Sequence, residues 1–100
     1  MQVHGLDISD DAIAAFCARH GVKRLSLFGS ILRDDFSPES DVDVLVEFHP
    51  GRTPGMIGFG QMILELRGIF GREVDLRTPD DLSQYFRRSV LREARTLHAA

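Results

Sequence analysis

One hundred residues, 43% of them apolar and 27% charged, suffice for one globular unit, of a size that buries roughly 60–70% of its extended chain's surface. Twelve Lys and Arg against 15 Asp and Glu leave a net charge of −3, so no basic field marks out a nucleic acid as a direct partner. The lone cysteine, Cys17, excludes an internal disulfide, and no apolar run approaches the roughly 20 residues that span a membrane.

The first 15 residues are interrupted by His4, Asp7, Asp10 and Asp11, which is unlike a secretory leader, so the expected location is the cytoplasm. Ser9-Asp10-Asp11 reads as an N-cap followed by an acidic first turn, both favourable at a helix start. Ile13, Phe16, Cys17 and His20 follow at helical spacing, and Gly21 supplies a C-cap. The apolar neighbours of Cys17 predict a buried thiol. His20 has no second histidine at ligand spacing, and His4, His49 and His98 are scattered, so no histidine metal site is expected. This helix is scaffold.

Val22 to Phe28 is predicted as the first strand, running into Gly29-Ser30. A glycine there lets backbone approach a ligand closely, and a following helix start offers free N–H groups to a phosphate. Ser30 to Asp34 is expected to form that short helix. Asp35 to Ser40, around Pro38, returns the chain to a second strand. Ten residues after Gly29-Ser30 come Asp41-Val42-Asp43, heading the apolar run to Phe48. On a strand, Asp41 and Asp43 share one face while Val42, Val44, Val46 and Phe48 take the other. Same-face Cα atoms lie about 6.5–7 Å apart, so two carboxylates can converge on one point. At about 4 Å two bare carboxylates repel by roughly 4 kcal/mol at an effective dielectric of 20. The pair therefore asks for a cation, a proton or open water, and Mg²⁺ suits its oxygen ligands best. Taken alone, Asp-x-Asp is equally compatible with two solvated acids at a strand start.

Pro50 to Gly55 is predicted as a loop, with Thr53 and Pro54 as N-cap and first residue of the next helix. Phe59, Met62, Ile63, Leu66, Ile69 and Phe70 form its core-facing stripe, and Gly71 ends it. Gly55, Gly58 and Gly60 lack dinucleotide-loop spacing and do not follow directly from a strand; the sequence offers no reason for them. Arg72 to Arg77 is expected as the third strand. In it Asp75 stands between Val74 and Leu76, an unusual place for an acid and a hint of a third site carboxylate. The plainer alternative pairs Asp75 with Arg72 or Arg77 at a sheet edge. Thr78-Pro79-Asp80-Asp81 reads as another helix start. Leu82, Tyr85, Phe86, Val90, Leu91, Ala94 and Leu97 continue it at helical spacing. Arg87, Arg88, Arg92 and Arg95 line the remaining surface as a solvated face or a docking face for a partner.

Gly-Ser, ten residues, Asp-x-Asp resembles the signature of the DNA polymerase β-like nucleotidyltransferases. Arg33 and Ser40 match the small bacterial members, and Pro50 to Pro54 and Val74-Asp75-Leu76 extend the match. More narrowly the chain resembles a minimal nucleotidyltransferase (MNT) antitoxin, the partner of HEPN-domain toxins. The resemblance covers nearly the whole chain. It implies one α/β domain over residues 1–100, a small mixed β-sheet flanked by helices. It implies transfer of AMP from ATP to a tyrosine of a cognate HEPN RNase toxin, and assembly with that toxin. Asp41, Asp43 and Asp75 would be the catalytic and metal-binding acids around two Mg²⁺ ions. Gly29, Ser30, Arg33 and Ser40 would bind the nucleotide. The chain departs from the commonest pattern at Ile31-Leu32 and Asp34, where many members have small residues and a glycine. Two other readings stay open: an antitoxin acting by binding alone, and a free-standing nucleotidyltransferase for a small molecule or RNA.

Overall fold

A helix begins where a side chain replaces the backbone partner its first turn lacks. Ser9 does this for α1 (Asp10–His20), its hydroxyl accepting from the Ala12 N–H at 3.2 Å. Gly21, at φ 66°, ends the helix in the left-handed conformation and returns its N–H to the Cys17 carbonyl. The computed structural model from which these elements are taken describes residues 1–34 and 36–100. Asp35, expected in the loop before the second strand, lies outside the described residues. On the inner side of α1, Ile13, Phe16 and Cys17 are buried. Burial alone pushes the Cys17 thiol up to about 11, so it stays protonated and unreactive at neutral pH. His20 packs against Phe16 with ring centroids 4.7 Å apart and the rings tilted by 47°, and pairs with Glu65, which Arg19 also engages at 2.7 Å. It is a structural tie between two helices.

A hairpin that periodicity did not announce precedes α1. Strands β1 (Gln2–Val3) and β2 (Leu6–Asp7) pair across His4 and Gly5, whose φ values are 48° and 82°. Two consecutive positive φ angles give the turn that matches strand twist. Val3 and Ile8 fasten the hairpin to the core.

The main sheet has the order β5-β4-β3-β6, built from β3 (Val22–Phe28), β4 (Val42–Phe48), β5 (Val74–Arg77) and β6 (Arg95–Ala99). β3 runs antiparallel to β4 and to β6, whereas β4 and β5 are parallel. A parallel pair needs a long crossover, and α2 (Met56–Phe70) provides it. Its stripe is as expected: Met62, Leu66 and Phe70 are buried, while Phe59, Ile63 and Ile69 pack against them. Its start is not. The N-cap is Gly55 rather than Thr53, and no side chain caps it.

Register decides which residues share a face. Leu27, Val44 and Leu76 are in line across β3, β4 and β5 and lie in the core. One residue along, Phe28, Asp43 and Asp75 are in line, and alternation turns them to the other face.

The C-terminal third departs from expectation. Instead of one helix to Leu97, a 3₁₀ turn (Pro79–Asp81) is followed by a short α3 (Arg87–Glu93), and the chain then becomes β6. Tyr85 and Phe86 are not core residues but 84% and 64% exposed. The physical reason lies in β3, whose second edge would otherwise hold unpaired backbone groups. β6 satisfies that edge, and the Ala100 N–H continues it to the Lys23 carbonyl at 2.8 Å. Among the described residues no helix is long and apolar enough to cross a membrane.

Candidate active site

The site is assembled where β3 ends. Gly29 has φ 75°, and a Cβ added there would sit 2.1 Å from Asp43 Oδ2. Both the backbone angle and the carboxylate demand a residue without a side chain. Gly29–Leu32 then winds as a 3₁₀ turn, shorter than the predicted helix, with Ile31 buried beneath it. The Ser30 backbone N–H donates to the Asp43 carboxylate. Ile31 is thus an anchor, which explains a bulky residue at that position.

Asp43 is half-buried, and its carboxyl is pushed above the ordinary value of 3.8. Burial is the largest cause, followed by the negative charge of Asp75, with Asp41 adding to it. The Ser30 N–H and Arg77 pull the other way. Asp75 stands directly beside it on β5, and Asp41 is exposed just before β4. The Val42 N–H donates to the Glu73 carbonyl at 2.9 Å, which locks the starts of these strands together.

Asp75 has a partner of its own. Arg77 donates from Nε to Oδ1 and Oδ2 at 3.2 and 3.3 Å, and from Nη2 to Oδ2 at 3.3 Å. The sheet-edge pairing contemplated from sequence is therefore present, with Arg77 and not Arg72. In return Asp75 holds the Arg77 guanidinium more firmly charged. Among the described residues no three His, Cys, Asp or Glu side chains stand grouped for a metal ion. What the fold brings together is Asp43 and Asp75 in register, with Asp41 near enough to raise Asp43.

The remaining predicted residues lie around this row. Arg33 closes the 3₁₀ turn with its N–H on the Ser30 carbonyl at 2.9 Å. The Ser40 hydroxyl serves the loop before β4, accepting from the Ser37 N–H at 3.2 Å and meeting the Ser37 hydroxyl at 3.1 Å. Sequence reasoning missed the residue that holds this loop. Arg72 donates to the Ser37 and Ser40 carbonyls, both at 2.7 Å, and lies over the Phe36 ring at 4.9 Å. Nothing in its local pattern signals that role, since its partners are more than 30 residues away.

A glycine turn on an in-register acid pair is the arrangement expected of one family, and residues 10–97 match the family model of the nucleotidyltransferase domain. The chain belongs to the nucleotidyltransferase family. Within the family, this nucleotidyltransferase is 35% identical over 75 residues to the protein adenylyltransferase MntA of Thermococcus cleftensis, covering 75% of this chain and 74% of that one. A Methanocaldococcus jannaschii protein named as a protein adenylyltransferase is 37% identical over 76 residues, covering 76% and 80%. A solved structure described as a minimal nucleotidyltransferase is 39% identical, with a TM-score of 0.70 over 85% of each chain. A toxin–antitoxin structure with AMP-PNP aligns at a TM-score of 0.72 over 93% of this chain and 75% of that one. At 19% identity it shows the shared fold alone. The nucleotidyltransferase is thus an enzyme of the minimal kind, with the mixed four-stranded sheet of that fold.

Proposed function

We propose that this nucleotidyltransferase is a Mg²⁺-dependent antitoxin that transfers AMP from ATP to a tyrosine hydroxyl of a HEPN-domain RNase toxin and so silences it. The observation that carries the reading is the alignment of Asp43 with Asp75 on adjacent strands, with Asp43 packed onto Gly29. Two carboxylates this close, one of them half-buried, call for positive charge. An all-oxygen donor set fits a hard divalent ion, and Asp41, Asp43 and Asp75 are the residues that would hold it, with two ions expected. Bound there, Mg²⁺ supplies the charge that offsets the triphosphate and the departing pyrophosphate.

The chain's own groups do the rest. The Ser30 hydroxyl and the amides of the Gly29 turn other than that of Ser30 bind the β- and γ-phosphates, with Arg33 contributing charge from the end of the turn. Ser40 orders the approach to Asp41. Asp75 orients the attacking hydroxyl and takes its proton. A protein acceptor is supported by the relatives named protein adenylyltransferase. An acceptor that is a HEPN toxin is supported by the toxin–antitoxin complexes among structures of the same fold.

Incubation with α-labelled ATP, Mg²⁺ and the partner protein tests this reading. Wild type is expected to label a partner tyrosine. Asp41→Asn and Asp43→Asn are expected to lose about a hundredfold or more in rate, the scale on which a lost charge-stabilising group acts, while keeping native circular dichroism. Full transfer by both variants refutes the assignment. Tight partner binding without label points instead to neutralisation by covering alone.

A further inference from the structure

Behind the Gly29 turn, and lined in part by Gly29 and Arg33 themselves, lies a cleft of about 540 Å³. Phe28, Leu32, Leu82, Phe86 and Val90 give it an apolar lining, and Arg33 and Glu93 are its charged residues. Its size falls within the roughly 300–1,000 Å³ of small-molecule sites, which are mostly apolar with a few polar groups. Two features connect it to the acids. Gly29 lines the cleft and also touches Asp43. Phe28 is the register partner of Asp43, so its ring stands on the same face of the sheet.

From this we infer that the cleft seats the nucleoside half of the substrate, the base stacked on Phe86 and the triphosphate running over Gly29 toward Asp43. This rests on the nucleotide-transfer reading and adds where the base goes. Phe86 has 64% of its surface exposed, an aromatic face with room for a planar ring. Most of the lining is apolar and so suits a base better than a triphosphate; its charged residues are Arg33, which suits the phosphates, and the Glu93 carboxylate, which does not. That carboxylate instead accepts a hydrogen bond from an amino-bearing base such as adenine. An apolar acceptor side chain is the rival occupant.

Equilibrium binding of ATP and of inorganic tripolyphosphate, both with Mg²⁺, to the full chain separates the possibilities. Phe86→Ala is expected to weaken ATP about tenfold or more, the worth of one base stacked on an aromatic ring. Tripolyphosphate should bind unchanged, and Phe86→Trp should retain ATP. Because Phe86 is largely exposed, its truncation leaves the core intact, and an unchanged melting temperature checks this. Unaltered ATP affinity in Phe86→Ala, or equal losses for both ligands, overturns the inference. So does normal ATP binding with loss of partner labelling, which would give the cleft to the acceptor. If wild type binds neither ligand, the nucleotide-transfer reading falls with it.

Discussion

Asp43 is held in a conflict its neighbours have not removed. Its raised pKa means that the folded chain binds that proton more tightly than the unfolded chain does. Ionisation of Asp43 therefore works against folding at pH values above the raised pKa, and the cost disappears below the ordinary 3.8, where both states are protonated. Asp43→Asn is accordingly expected to melt higher than wild type at pH 7, although it is also expected to lose nucleotide transfer. The increment should fade as pH falls through the raised value toward 3.8. Thermal melts across that range check the sign, and a lower melting temperature at pH 7 would show that the Ser30 N–H and Arg77 outweigh burial. Gly29 is the other residue whose identity is dictated by contact. Gly29→Ala places a methyl against Asp43 Oδ2 and keeps a positive φ that costs an L-residue about 1–2 kcal/mol. A fall of at least that size in urea stability, with loss of nucleotide transfer, is the expected outcome.

At the level of elements, short-range signals were readable. Ser9 and Gly21 bound α1, the stripe from Phe59 to Phe70 is the inner face of α2, and Val22 to Phe28 is β3. The acids were readable as well, because alternation places Asp43 and Asp75 on one face once β4 and β5 pair. What could not be read depends on distant partners. The stretch from Arg95 to Ala99 has no strand-like alternation and becomes β6 because β3 has an edge to satisfy. Arg77 and Arg72 were both candidates for Asp75, and only the loop carbonyls of Ser37 and Ser40 explain why Arg72 turns away. Removing residues 95–100 tests the role of β6. The shortened chain is expected to unfold at lower urea and to self-associate through the bared edge of β3. Size-exclusion chromatography and urea melts would show both effects, and a monomer of unchanged stability would contradict them.

For the molecule as a whole, the consequence that reaches furthest comes from the Arg77 fork on Asp75. If Asp75 binds Mg²⁺ as proposed, the free protein already carries a counter-ion there, and loading with metal would exchange one cation for another. On that proposal the guanidinium's grip would set the Mg²⁺ concentration needed to fill the site. An exposed pair of this kind is worth about 0.2–1 kcal/mol, so Arg77→Gln should lower the half-saturating Mg²⁺ concentration by roughly 1.4- to fivefold, as followed by the metal-induced rise in melting temperature. If saturation instead needs more Mg²⁺, Arg77 is an ally of the metal and not its competitor. On that proposal the folded chain supplies its own stand-in for the ion until the ion arrives.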